Sequence, residues 1–172
     1  FSSGLFENEI LSNLMQKSPK SIENYVFCSK LGIDTAVEIC PNTGAVTPIG
    51  EPIEHRNNRI EYSCICAHSG GKLYAAPLGA TSVLEIDPFN HKVSTLGGAF
   101  NEPNSYKCIC EGPDGKLYAS PYDATHVIQI DVERRSVTPI GMDLGTEKNK
   151  YECIVLANNG KLYSAPCNAR QV

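Results

Sequence analysis

From Tyr25 onward the chain is a succession of short apolar segments that alternate with polar positions and end at Gly, Pro, Asn or Asp. Lys107–Glu111, Lys116–Ser120, His126–Asp131 and Ser136–Ile140 are rich in Val, Ile, Tyr and Thr and carry a period of two, which predicts strands rather than helices. Gly112-Pro113-Asp114-Gly115 predicts a tight hairpin between the first two of these, and Ala67–Gly71 and Ala157–Gly160 hold the same place elsewhere. Asp87-Pro88-Phe89-Asn90 and Pro41-Asn42-Thr43-Gly44 predict turns between a third and a fourth strand. Ahead of Tyr25 the period changes. Phe6, Ile10 and Leu14, with Leu11 and Met15 beside them, predict a helix from about Leu5 to Gln16 that ends at Ser18-Pro19. That helix reads as a strap over the edge of the fold, with a partner-docking or membrane-surface helix as alternatives.

The segments repeat. Gly71-Lys72-Leu73-Tyr74-Ala75-Ala76-Pro77 returns as Gly115–Pro121 and again as Gly160–Pro166, at intervals of 44 and 45 residues. Val83-Leu84-Glu85-Ile86-Asp87 returns as Val127–Asp131, and Thr95-Leu96-Gly97 as Pro139-Ile140-Gly141. A degenerate copy ends at Val37-Glu38-Ile39-Cys40-Pro41 and Pro48-Ile49-Gly50. Four short antiparallel strands in each period of this length are the pattern of a β-propeller blade. The expected architecture is all-β: a partial propeller of about three and a half four-stranded antiparallel blades with a short N-terminal helix. Residues 1–24 form the helical strap or linker and 25–172 the blades, of which 25–50 and 142–172 are partial and 51–97 and 98–141 complete. Closed propellers have four to eight blades, so the reading expects a second copy, a partner protein or further blades to complete the ring. The chain starts at Phe1 and stops where a third strand is due, which the reading takes as a processed or incomplete chain.

The Leu-Tyr strand, the polar loop, the Val-x-x-Ile-Asp strand and the closing Val-x-x-Ile strand together resemble the propeller repeats called YVTN and, more loosely, the NHL repeats. The resemblance runs from Tyr25 to Val172. It implies blade architecture and leaves the chemistry open, since such propellers include enzymes and scaffolds alike. Pro77, Pro121 and Pro166 stand where those repeats usually have Asn in the loop, and the chain has no Trp to supply a WD dipeptide.

Composition narrows the function classes. Fifteen Lys and Arg against 19 Asp and Glu give a net charge of −4, which argues against a nucleic-acid binder that needs a basic face. The longest unbroken apolar run is Cys153–Ala157, far short of the roughly 20 residues that span a bilayer. Of eight cysteines, Cys64, Cys66, Cys108, Cys110 and Cys153 lie within strand segments. They read as reduced, buried thiols on inner strands, with disulfides or a metal site as alternatives. Free thiols point to a reducing intracellular compartment.

Candidate chemistry sits in the loops expected on one face, around the channel mouth. Glu51–Glu61, with Arg56 and Asn57, and Gly98–Ser105, with Glu102 and Asn104, vary between repeats, and variable loops on a repetitive scaffold are where binding specificity resides. Tyr62, Tyr106 and Tyr151, one per repeat, read as a packing ring or an aromatic binding rim. Asp123 and His126 share a loop; the preceding repeat has Gly79 and Ser82 there, so no metal set repeats. His68 and His91 fall in turns on the opposite face. No cofactor motif occurs. The reading is a non-catalytic binding or scaffold subunit of a larger assembly, with a small-ligand binder or metal-assisted, lactonase-like hydrolase as the alternative.

Overall fold

The computed structural model describes residues 35–51, 61–97 and 105–169. The expected N-terminal helix, residues 52–60 of the 51–61 loop and the 98–104 loop lie outside the described residues. Within them the chain is all-β: β1 (Ala36–Ile39) and β2 (Val46–Ile49) pair, as do β11 (Val155–Leu156) and β12 (Leu162–Tyr163). Between them lie two four-stranded antiparallel meanders. One runs β3 (Tyr62–Ala67), β4 (Leu73–Pro77), β5 (Val83–Asp87), β6 (Lys92–Leu96); the other runs β7 (Tyr106–Glu111), β8 (Leu117–Pro121), β9 (Val127–Asp131), β10 (Ser136–Ile140). The Gly-Lys-Leu-Tyr segments thus lead into the second strands, and the pairing register of both first strands shifts just after the tyrosine, between Tyr62 and Ile65 in β3 and between Tyr106 and Cys108 in β7.

The sheets stack face to face, and β4 shows how. Its side chains alternate between faces, so Leu73 and Ala75 join a core with Ala36, Ile49, Leu84 and Ile86 on the β1–β2 side. Tyr74 and Ala76 join a second core with Tyr106, Ile109, Leu117, Ala119, Ile128 and Ile130 on the β7–β10 side. A strand buried on both faces gains on each; a fully buried Leu, Ile or Val contributes about 1.5–3 kcal/mol. Successive sheets approach most closely at β3 and β7, their first strands. That geometry makes each sheet a wedge converging on its first strand.

The seams between sheets repeat with the sequence period. Gly50 (φ 77°) and Gly97 (φ 88°) end the fourth strands, and a Cβ there would clash with Val93 and with Val137 on the following sheet. Only glycine permits both the left-handed backbone and that approach. His91 (φ 50°) and Arg135 (φ 52°) occupy equivalent turns and reach back to the preceding sheet, His91 Nδ1 lying 3.9 Å from Glu38 and Arg135 bonding Glu85 at 3.1 Å. On the other flank of β7–β10 the last repeat is tied to the first strand, Lys107 pairing with Glu152, but at the fourth strand nothing lies within 4 Å of a Cβ at Gly141.

One expectation needs correction. The inner-strand cysteines are not buried as a group: Cys64, Cys66, Cys108 and Cys110 are half-buried and Cys153 is exposed. Cys64 and Cys108 sit at the seam between first strands, where the neighbouring sheet covers them in part. In the last repeat β11 and β12 are two residues each, and an isolated bridge joins Tyr151 to Pro166.

Candidate functional site

The loops between second and third strands and those leading into first strands are knitted together at one end of the sheets. Glu61, Ser105 and Lys150, which precede the first strands, offer carbonyls to those loops: Glu61 O to Leu78, Gly79 and Ala80, Ser105 O to Tyr122 and Ala124, and Lys150 O to Cys167. In return Ser105 N–H donates to Leu78 O and Lys150 N–H to Tyr122 O, tying each sheet to the one before it. Paired backbone groups make this end a rigid platform.

On that platform the structure brings Asp123, His126, Tyr106 and Tyr151 to one end. Asp123, 7% exposed, accepts the Asn149 N–H at 2.8 Å and lies 3.7 Å from Lys148 Nζ; it holds the 142–150 loop. His126 Nδ1 is 2.8 Å from Thr125 Oγ1, and its carbonyl accepts the Tyr106 hydroxyl at 3.1 Å. Tyr62 and Tyr106 are buried in the two cores, and burial pushes both phenols up to about 12. Of the three tyrosines, Tyr151 lines accessible space. Arg56, Asn57, Glu102 and Asn104 lie outside the described residues. His68 is at the opposite end, 2.8 Å from Gly115 O and 3.7 Å from Glu111.

The accessible space beside Tyr151 is a cavity of about 310 Å³ bounded by Met142, Asp143, Gly145, Glu147 and Lys150. Lys150 is 1% exposed, and its Nζ donates to the Glu147 carbonyl at 2.6 Å. Burial pulls the Lys150 amine below its ordinary value, against the opposing pull of Asp123 and Glu147. Leu144 N–H donates to Thr125 O at 2.8 Å, joining the wall of the cavity to the loop that carries His126. An enclosed ammonium with the exposed carboxylates of Asp143 and Glu147 at the mouth suits a polar, hydrogen-bonding ligand. Sequence reasoning missed Lys150, although its register with Glu61 and Ser105 marks it: a Lys replaces an acidic or hydroxyl residue at a position buried in every repeat. Among the described residues no three His, Cys, Asp or Glu side chains converge as a metal site, and no helix is long and apolar enough to cross a membrane.

No protein-family profile matches the chain, and no curated protein does. Solved structures do. The chain is similar to the extracellular domain of the hybrid two-component system BT4673 of B. thetaiotaomicron at TM-score 0.63 and 13% identity, over 86% of this chain and 19% of that one. It is similar to virginiamycin B lyase of Staphylococcus aureus at TM-score 0.60 and 16% identity, over 78% and 42%. Hydrazine synthase of Kuenenia stuttgartiensis matches at 0.57 and 16%, over 76% and 35%. The BT4673 domain and virginiamycin B lyase are β-propeller-like proteins, and the likeness extends to the fold. The chain spans less than half the length of each.

Proposed function

We propose that this chain supplies consecutive blades, of YVTN or NHL type, to a larger β-propeller that works as a non-catalytic binding and scaffold module within an assembly. The observation that supports this reading is the asymmetry of the seams. Each described blade is built to receive the next: Gly50 receives Val93 and Gly97 receives Val137, while Gly141 presents the same surface to nothing within 4 Å. Exposure of the equivalent tyrosines agrees, Tyr74 at 2% and Tyr163 at 50%. Val155 at 59% and Leu156 at 37% extend the bare apolar surface, a patch that marks an interface. Its occupant is another β-sheet of the same shape, in a second copy, a partner protein or a longer form of this chain. Binding specificity would then reside at the loop face, where Asp123, His126, Tyr151 and Lys150 meet and where Arg56, Asn57, Glu102 and Asn104 are expected.

The test is Tyr163→Arg together with Val155→Arg, both at exposed positions. The reading expects the described sheets to fold as before while the native particle becomes smaller. An unchanged particle would count against it. A small-ligand binder or lactonase-like hydrolase draws support only from the cavity beside Lys150, and a polar ligand retained by the isolated chain would favour it.

A further inference from the structure

The seam between first strands brings two sulfurs together. Cys64 Sγ on β3 and Cys108 Sγ on β7 are 3.3 Å apart; 44 residues of sequence separate them, and both are half-buried. The same seam is fixed on either side, by Ser63 Oγ donating to Lys107 O at 2.6 Å and by the tight packing of β7 on β3 and β4. An S–S bond measures about 2.05 Å, so bonding the pair takes a movement of roughly 1.3 Å, within reach of rotation about the two Cα–Cβ bonds.

We propose that Cys64 and Cys108 form a redox site at which a peroxide creates a disulfide joining the two sheets. The Cys64 thiolate attacks one oxygen of hydrogen peroxide; the O–O bond breaks, Cys64 becomes a sulfenic acid, and the departing hydroxide leaves as water with the proton that the thiol had released. The Cys108 sulfur then attacks the Cys64 sulfur. The S–S bond forms, the S–O bond breaks, and hydroxide leaves as a second water with the Cys108 proton. Two thiols and one peroxide become one disulfide and two waters.

The neighbouring pair on the same strands does not share this chemistry. The hydrogen bond that the two sulfurs share lowers the Cys64 thiol, against the effect of burial and with help from the Ile109 backbone; the same bond and burial push Cys108 up. Burial pushes Cys66 up to about 11 and raises Cys110 as well. Attack by a thiolate with a thiol beside it to resolve the sulfenic acid is thus confined to one of the two rungs. The bond would lock the seam where successive sheets lie closest, whatever completes the ring.

The experiment uses the full chain in its native state. The reduced protein is exposed to a small excess of hydrogen peroxide, quenched with an alkylating agent, digested with trypsin and sequenced by mass spectrometry. Peptides 60–72 and 108–116 carry the four cysteines. The proposal expects these two peptides linked through Cys64 and Cys108, with Cys66 and Cys110 alkylated, and the thiol count of the unfolded chain reduced by two from eight. Cys66→Ser with Cys110→Ser should keep the link, and the oxidised protein should melt at a higher temperature than the reduced one. Recovery of Cys64 and Cys108 both alkylated, both overoxidised, or a dominant Cys66–Cys110 link would overturn it.

Discussion

Arg135 reaches across from one sheet and donates to both carboxylate oxygens of Glu85 on the sheet before it, at 3.1 Å each. Glu85 is 5% exposed and also accepts from Lys72, Tyr74 and Ser94, so the guanidinium completes the shell of a buried charge. A second Arg135 nitrogen donates to Thr95 O at 3.0 Å. The seam between the two full sheets is thus held by apolar packing at its first strands and by a charged clamp at its outer turn.

Replacing Arg135 with Ala removes one face of that shell and leaves Lys72 to balance the charge. Hydrogen bonds to charged groups contribute about 1.5–3 kcal/mol; Arg135 is half-exposed, and screening trims the figure toward the lower end. Denaturant unfolding should show a loss of about 1–2 kcal/mol. A double-mutant cycle with Glu85→Gln should show coupling, because the two residues share the interaction. Additive losses would contradict the clamp.

Acid should weaken the same seam. Burial works to raise Glu85, but donation from Lys72, Arg135 and Tyr74 outweighs it, and the carboxyl lies below its ordinary range. A group depressed in the folded state contributes stability that is present above its unfolded pKa, about 4.3 for Glu, and is lost as pH falls through the folded value. Asp87 and Asp114 are depressed too and act in the same direction. Melting temperature should therefore fall steeply below about pH 4.3, and Glu85→Gln should flatten that limb. Parallel acid limbs for the two proteins would refute the assignment.

The blade period was legible because three blocks recur intact, and Leu73, Leu117 and Leu162 indeed sit on second strands. The clamp was not legible. Its carboxylate position reads Glu38, Glu85 and Gln129, and its cationic position reads His91 and Arg135, so the identities drift while the backbone place is kept. Nothing local links residues 50 apart; the pairing appears only when the sheets stack. Cysteine burial misled for a related reason. Alternation along a strand tells which side chains share a face, but whether another sheet covers that face depends on the stacking. Asp123 looked chemical in its loop, and its actual work on the Asn149 amide depends on the next repeat's loop folding over it.

Ser120 separates a local from a repeat-level effect. Its hydroxyl is buried and has no hydrogen-bond partner among the described residues, while the other repeats place Ala76 and Ala165 there. An unmade buried hydrogen bond costs about 1–3 kcal/mol. Ser120→Ala should therefore leave stability unchanged or raise it by about 1 kcal/mol, read from the denaturation midpoint; a loss of comparable size would mean that the hydroxyl is satisfied in solution.

Gly97 and Gly141 make a matched pair. Both have left-handed φ, 88° and 77°, and Ala at either costs roughly 1–2 kcal/mol of backbone strain. Gly97→Ala must also displace Val137, on which its new methyl would clash, which adds an overpacking cost of about 1–3 kcal/mol. In the isolated chain Gly97→Ala should be clearly the more damaging. With the flank covered in the assembled particle, Gly141→Ala should approach it. Equal losses in the isolated chain would contradict the open seam.

The central claim is that these blades belong to a ring completed by further sheet. Sedimentation equilibrium of the native protein across a dilution series tests it most directly. The account predicts a particle larger than 18.7 kDa, dissociating only as the cooperative melt is lost. A stable 18.7 kDa monomer that unfolds in a single sharp transition, with Val155 and Tyr163 still exposed, would contradict it.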